Sequence, residues 1–155
     1  MIGVLAGCAD PSGPTTSAII RVEADTVRAL QRQYGTVEWV SFVVPVTIEN
    51  TGSTSIFSNV CFYGVDQLVG VDWRRVWSPI CAAGFSNDVE VRAGEHLAVD
   101  LRVDAATAGP GDPQWGSNAL AGTHRVTVGL ITGRAGSSMV SVVSDAFSLA
   151  VQKVP

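Results

Sequence analysis

Few residues in this sequence could do covalent chemistry: three cysteines (Cys8, Cys61, Cys81), two histidines (His96, His124) and scattered carboxylates. An enzyme needs a nucleophile beside a base, a working carboxylate pair or a metal set. The two histidines fall on different expected strands. Gly52-Ser53 and Gly136-Ser137 are turn pieces without the glycine that would make a nucleophile elbow. Asp100 and Asp104 share a strand parity, as do Asp88 and Glu90. Carboxyls do acid–base work at about 5–9 Å, but on exposed strand faces such pairs are ordinarily solvated charge. Copper or zinc wants converging His, Cys or Met, and only His96, His124, Met1 and Met139 stand outside the cysteines. Asp112 lacks companions at EF-hand spacing, and no phosphate-binding or dinucleotide fingerprint occurs. The spacing therefore predicts no catalytic residue, no metal and no cofactor.

The elements that would position these residues read as strands nearly throughout. Ser17–Glu23 is β-branched and follows a turn-rich stretch. Asp25–Gln33 fits either a short helix, through Val27 and Leu30, or a continuing strand. In Glu38–Glu49, Val40, Phe42, Val44, Val46 and Ile48 alternate with their neighbours at the period of a half-buried strand. Pro45 cannot donate to a ladder, so its side of that strand should be an edge or a bulge. Asn50-Thr51-Gly52 turns the chain, and Ile56–Tyr63 forms the strand bearing Cys61. Gln67–Val71 and Trp73–Trp77 form a hairpin, and Val89–Val91 is a short strand before the Ala93-Gly94-Glu95 turn. His96–Asp104 alternates with Leu97, Val99, Leu101 and Val103 inward. After a long loop, Ala105–Ala121, come Thr123–Thr132, a turn at 133–136 and one or two strands within Met139–Val151.

Composition agrees with one compact domain. The chain has 155 residues, 46% hydrophobic and only 15% charged, the opposite of a disordered chain. Ten basic against fourteen acidic residues give a net charge of −4. That excludes the basic stripe a nucleic-acid binder uses to displace counterions. No apolar run reaches the roughly eighteen residues of a membrane-spanning helix.

The N-terminus reads Leu5-Ala6-Gly7-Cys8, which resembles the bacterial lipobox. The resemblance implies that Cys8 carries a diacylglyceryl group and that the chain is cut before it. Residues 1–7 would then be a signal-peptide remnant and 8–16 a flexible tether, rich in Pro, Ser, Thr and Gly, lifting the domain off a membrane. Only seven residues precede Cys8, all uncharged, whereas a signal peptide carries a basic region and a longer apolar stretch. The alternatives are a start upstream, or a chance motif on a tail with a free thiol. Setting Cys8 aside leaves Cys61 and Cys81, in no Cys-x-x-Cys spacing and near no histidine, which weakens zinc and redox readings. In an exported domain such a pair oxidises, and a loop of this size contributes on the order of 3 kcal/mol; the alternative is two buried free thiols. A Cys61–Cys81 disulfide is expected.

The order of landmarks resembles the single immunoglobulin-like domains of uncharacterised bacterial lipoproteins. The landmarks are Thr47-Ile48-Glu49-Asn50-Thr51-Gly52, then Cys61, then the Trp73-Arg74-Arg75-Val76-Trp77-Ser78-Pro79-Ile80-Cys81 segment. Ala93-Gly94-Glu95, Gly122-Thr123-His124-Arg125 and Ser144-Asp145-Ala146-Phe147 follow. The resemblance implies an all-β, antiparallel immunoglobulin-like sandwich of about seven to nine strands over residues 17–155. His124 stands where that family has a tyrosine able to tie a strand corner. Trp77, just before Cys81, fits a tryptophan packed on a disulfide. Trp73 and Trp115, with Arg74 and Arg75 beside Trp73, form the candidate binding surface, where guanidinium and indole invite cation–π or carboxylate contacts. The expected function is a non-catalytic binding or structural module held to the cell envelope by lipid on Cys8, with a protein or glycan partner. The alternatives are a proteinase-inhibitor-like protein acting through sandwich loops and, behind it, a metal carrier or enzyme.

Overall fold

The computed structural model describes residues 17–82, 87–117, 119–132 and 138–155. Cys8, the tether and the turn at 133–136 lie outside the described residues. Among the described residues the architecture is all-β, with nine strands: β1 Ala18–Val22, β2 Thr26–Tyr34, β3 Val37–Asn50, β4 Ile56–Val69, β5 Asp72–Trp77, β6 Val89–Val91, β7 His96–Ala108, β8 Thr123–Thr132 and β9 Ser138–Val154. The ambiguous segment after Asp25 is strand β2, burying Val27 and Ala29 on one face. The last segment is one unbroken strand.

The strands hydrogen-bond in the order β1-β3-β2-β9-β8-β4-β5, with β7 added to β3 and β6 to β4. The expectation of purely antiparallel pairing is corrected here, because the sheet is mixed. β2 runs parallel to β9 from Thr26↔Ser148 to Arg32↔Val154, and β1 meets β9 at Ile20↔Ser144. The cause is the break at residues 23–25. It carries the chain from β1 into β2, which lies parallel along the last strand while pairing β3 from Leu30 onward, a long-range choice that local alternation does not encode.

Pro45 sits at that break. β1 pairs β3 as far as Val22↔Val46, and β2 takes over from Leu30↔Ser41. The Pro45 carbonyl accepts from Glu23 N at 3.0 Å. The proline nitrogen faces the same side, in the gap between the two partners, where no ladder bond is required.

The alternating residues of β3 (Val40, Phe42, Val44, Val46, Ile48) are all buried. They meet Leu101 and Val103 of β7, Val126, Val128 and Leu130 of β8, and Phe147 and Leu149 of β9. Each such side chain removed from water contributes about 1.5–3 kcal/mol. Asn50, fully buried at the end of β3, donates from Nδ2 to Thr54 O and Val91 O and accepts from Gly52 N. Its backbone pairs with Gly94 and Glu95. One amide thus ties the Asn50-Thr51-Gly52 turn to the Ala93-Gly94-Glu95 turn.

The Ala105–Ala121 segment is less of a loop than expected. β7 runs on to Ala108, and the chain then folds back along it. Ala106 N donates to Pro113 O at 2.9 Å, Trp115 N to Ala106 O at 2.8 Å, and Gly116 N to Val76 O at 2.7 Å. Residues 113–116 therefore bridge β7, which branches from β3, and β5, at the end of the hydrogen-bonded path, so the sheet is curled enough to bring them together. Cys61 and Cys81 are joined, S–S 2.02 Å, holding the segment after β5 against β4.

Candidate functional site

The β4–β5 hairpin builds a charged cluster on the outer face of the sheet. Its register shifts between Val65↔Trp77 and Asp66↔Arg75, leaving Val76 as the extra residue of a bulge. The bulge breaks the parity that would place Trp73 and Trp77 on one face. Trp77 turns into the core and donates its indole N–H to Asp104 O at 3.2 Å. Trp73 and Arg75 stay on the outer face.

There Asp66 is the hub. Arg75 Nε donates to Asp66 Oδ1 at 2.6 Å, Arg125 Nε to Oδ2 at 3.3 Å, and the Thr127 hydroxyl also to Oδ2. The Arg125 guanidinium lies over the Trp73 ring, 4.4 Å from its centroid. Burial alone would raise the Asp66 pKa, but hydrogen bonds from Arg75, Thr127 and Arg125 outweigh it and hold the carboxyl below its ordinary value. Arg75 also donates to Ser78 Oγ at 3.3 Å. Gly64 makes room for it, since a Cβ there would sit 2.2 Å from Arg75 Nη1. Two guanidiniums, each with five N–H donors, share one carboxylate, so the cluster is positive by one charge. The Asp66 side chain is 9% exposed, while those of Arg75 and Arg125 are 43% and 25% exposed. The positive edge, with its stacked indole, is the part that meets solvent. Its chemistry suits an anionic, flat-faced group.

Of the four residues expected to form a binding surface, the structure brings together two, Trp73 and Arg75. Arg74 pairs with Gln67 at the alternate position and stays out of the cluster. Trp115 is corrected outright: it is 5% exposed, packed edge-on against Phe42 and beside His124, with its indole N–H donating to Ala119 O. The fold-back of residues 113–116 carries it inward. Sequence reasoning missed Asp66 and Arg125. Asp66 did leave a signal, a carboxylate inside the otherwise uncharged run from Cys61 to Val71.

His124 is a core residue. It is fully buried between the Trp115 and Phe147 rings, 5.8 Å from each, with Nδ1 3.0 Å from Gly122 O. Burial lowers its pKa to about 4, against a smaller upward pull from Gly122 O, so the ring is neutral at pH 7 and Nδ1 carries the donated hydrogen. Next to it in the ladder, buried Gln67 donates to Ala119 O and Ala121 O, pinning the incoming loop. Among the described residues, no group of three or more His, Cys, Asp or Glu could hold a metal ion.

No family model matches the chain, and no curated protein matches it. Similar solved structures include Northeast Structural Genomics Consortium target SoR45, at TM-score 0.45 and 11% identity, over 88% of this chain and 86% of that one. The β-glucosidase from Listeria innocua in complex with gluconolactone aligns at TM-score 0.36 and 17% identity, over 85% of this chain but 16% of that one. The same enzyme in complex with glucose aligns at TM-score 0.35 and 16% identity, over the same shares.

Proposed function

We propose that the protein is an exported, lipid-tethered, non-catalytic binding module of the bacterial cell envelope, built as an immunoglobulin-like sandwich and working through the Trp73–Arg125–Asp66–Arg75 surface. The observation that carries this reading is the surface itself. A stacked Trp–Arg pair and a second arginine are locked by one buried carboxylate on a bulged hairpin, so a recognition face exists before any ligand arrives. The Cys61–Cys81 disulfide supports export, since such bridges persist in oxidising compartments. The Leu5-Ala6-Gly7-Cys8 motif supports a lipid on Cys8, and the Pro-, Ser- and Thr-rich stretch after it suits a tether.

The test is fractionation of cells expressing the wild type, Cys8→Ser and Trp73→Ala/Arg125→Ala. Wild type is expected with membranes, with a lipid mass on Cys8. Cys8→Ser is expected in the soluble fraction. The purified double variant, folded by circular dichroism, is expected to lose at least tenfold in salt-sensitive binding to delipidated envelope. A soluble wild type with an unmodified Cys8 overturns the tether, and unchanged envelope binding by the double variant overturns the surface.

A further inference from the structure

The groove between β5 and β7 carries a second inference, independent of the Trp73 face. Among the described residues, β7 has one partner strand, β3. The Pro45 carbonyl bonds Glu23 N on the side away from β7, so Pro45↔Asp100 is a pair that exchanges no ladder bonds. By the antiparallel alternation, the peptide groups of Ala98, Asp100, Arg102 and Asp104 all point away from β3. Trp77 confirms the parity, because its indole takes the Asp104 carbonyl from that side. Further along, Ala106 is covered by residues 113–115. The edge is thus sealed at one end and open over Ala98–Arg102, where the backbone finds no partner strand among the described residues.

That open edge borders a cavity of about 530 Å³ lined by Trp77, Leu101, Pro79, Ile80, Val60 and Pro113, a volume typical of ligand sites. Ile80, though apolar, is 67% exposed, and the neighbouring Cys61–Cys81 disulfide fixes its wall to β4. Asp100, Asp104 and Asp112 stand around the same cavity against one cation, Arg102. None of the four makes an ion pair among the described residues.

We propose that this groove binds an extended peptide segment of a partner protein that adds as a strand to the Ala98–Arg102 edge of β7, with alternate apolar side chains toward Trp77, Leu101 and Ile80 and Lys or Arg side chains toward Asp100, Asp104 and Asp112. The unpaired peptide groups supply a ladder, the apolar floor supplies burial, and the surplus of carboxylates selects a cationic strand.

The probe is an acetylated, amidated hexapeptide of alternating lysine and valine, titrated into the ¹⁵N-labelled domain. Controls are the glutamate–valine peptide and a lysine–valine peptide N-methylated at alternate residues. Saturable binding below about 1 mM is expected, with slowed amide exchange at Ala98, Asp100 and Arg102. Both controls should bind at least tenfold more weakly. Asp100→Asn/Asp104→Asn should weaken the lysine peptide about tenfold, and Ile80→Ser should weaken it too; both change exposed side chains and leave the core intact. No saturation, binding indifferent to N-methylation, or protection mapping elsewhere overturns the proposal. So does concentration-dependent dimerisation protecting the same amides, which would make a second copy the occupant.

Discussion

His124 places an ionisable ring where a charge cannot be solvated, and pH should report it. The unfolded chain protonates an ordinary histidine near 6.5, whereas the folded ring resists until about 4. Its stabilising effect is complete above 6.5, declines as pH falls towards 4, and loses nothing more below that. Urea unfolding at pH 4.5 should give a free energy about 2–3 kcal/mol below that at pH 7.5, with His124→Gln losing less than half as much. Asp66 acts in a separate window. Its lowered pKa contributes stability that is present above 3.8 and lost as pH falls below it. Gly64 is the other sensitive position. Gly64→Ala would push the Arg75 guanidinium off Asp66, a flexible group moved at the cost of a half-exposed ion pair. The expected stability loss is about 1 kcal/mol or less, read by denaturant midpoint, while binding by the Trp73 surface should fall as far as it does in Arg75→Ala.

The elements show where sequence reading succeeds and where it stops. Strand β3 was legible because every other residue from Val40 to Ile48 is apolar, and its proline had to face a missing partner. The disulfide was legible because two cysteines without histidine or Cys-x-x-Cys company leave little other use. Replacing both by alanine should lower the unfolding free energy by about 3 kcal/mol, measured in urea with and without reductant; the double variant should be indifferent to it. The bulge at Val76 was not legible. Trp73 and Trp77 have the same parity on paper, and only the register with Val65 and Asp66 sends them to opposite faces. Trp115 misled for a related reason. Its Gly- and Pro-rich neighbours read as surface, yet backbone bonds to Ala106 and Val76 insert it into the core. Two of the three Asp66 partners, Arg125 and Thr127, lie on β8, about sixty residues away, which no local window spans.

At the scale of the whole molecule, the low charge fraction fits a fold that buries both a two-sided core and much of its own sheet edge. Residues 113–116 stitch β5 to β7 and cover part of the free edge of each. What stays open is specific. One face offers guanidinium and indole, and the cleft between β5 and β7 offers carboxylates and unpaired peptide groups. The two surfaces prefer ligands of opposite sign, so the bindings should be separable by mutation, with Trp73→Ala leaving the lysine–valine peptide affinity unchanged in calorimetry.

The parallel ladder between β2 and β9 has a mechanical meaning. Once β1 is stripped from β3, a pull on the two ends of the chain draws β2 from Thr26 and β9 from Val154, opposite ends of the same seven-pair ladder. Force then runs along the strands and loads every rung at once, as in a lap joint, where a hairpin pulled from its open end would unzip rung by rung. In single-molecule extension, the domain should resist until that joint shears in one step, and Val27→Pro, which blocks pairing there, should lower the rupture force.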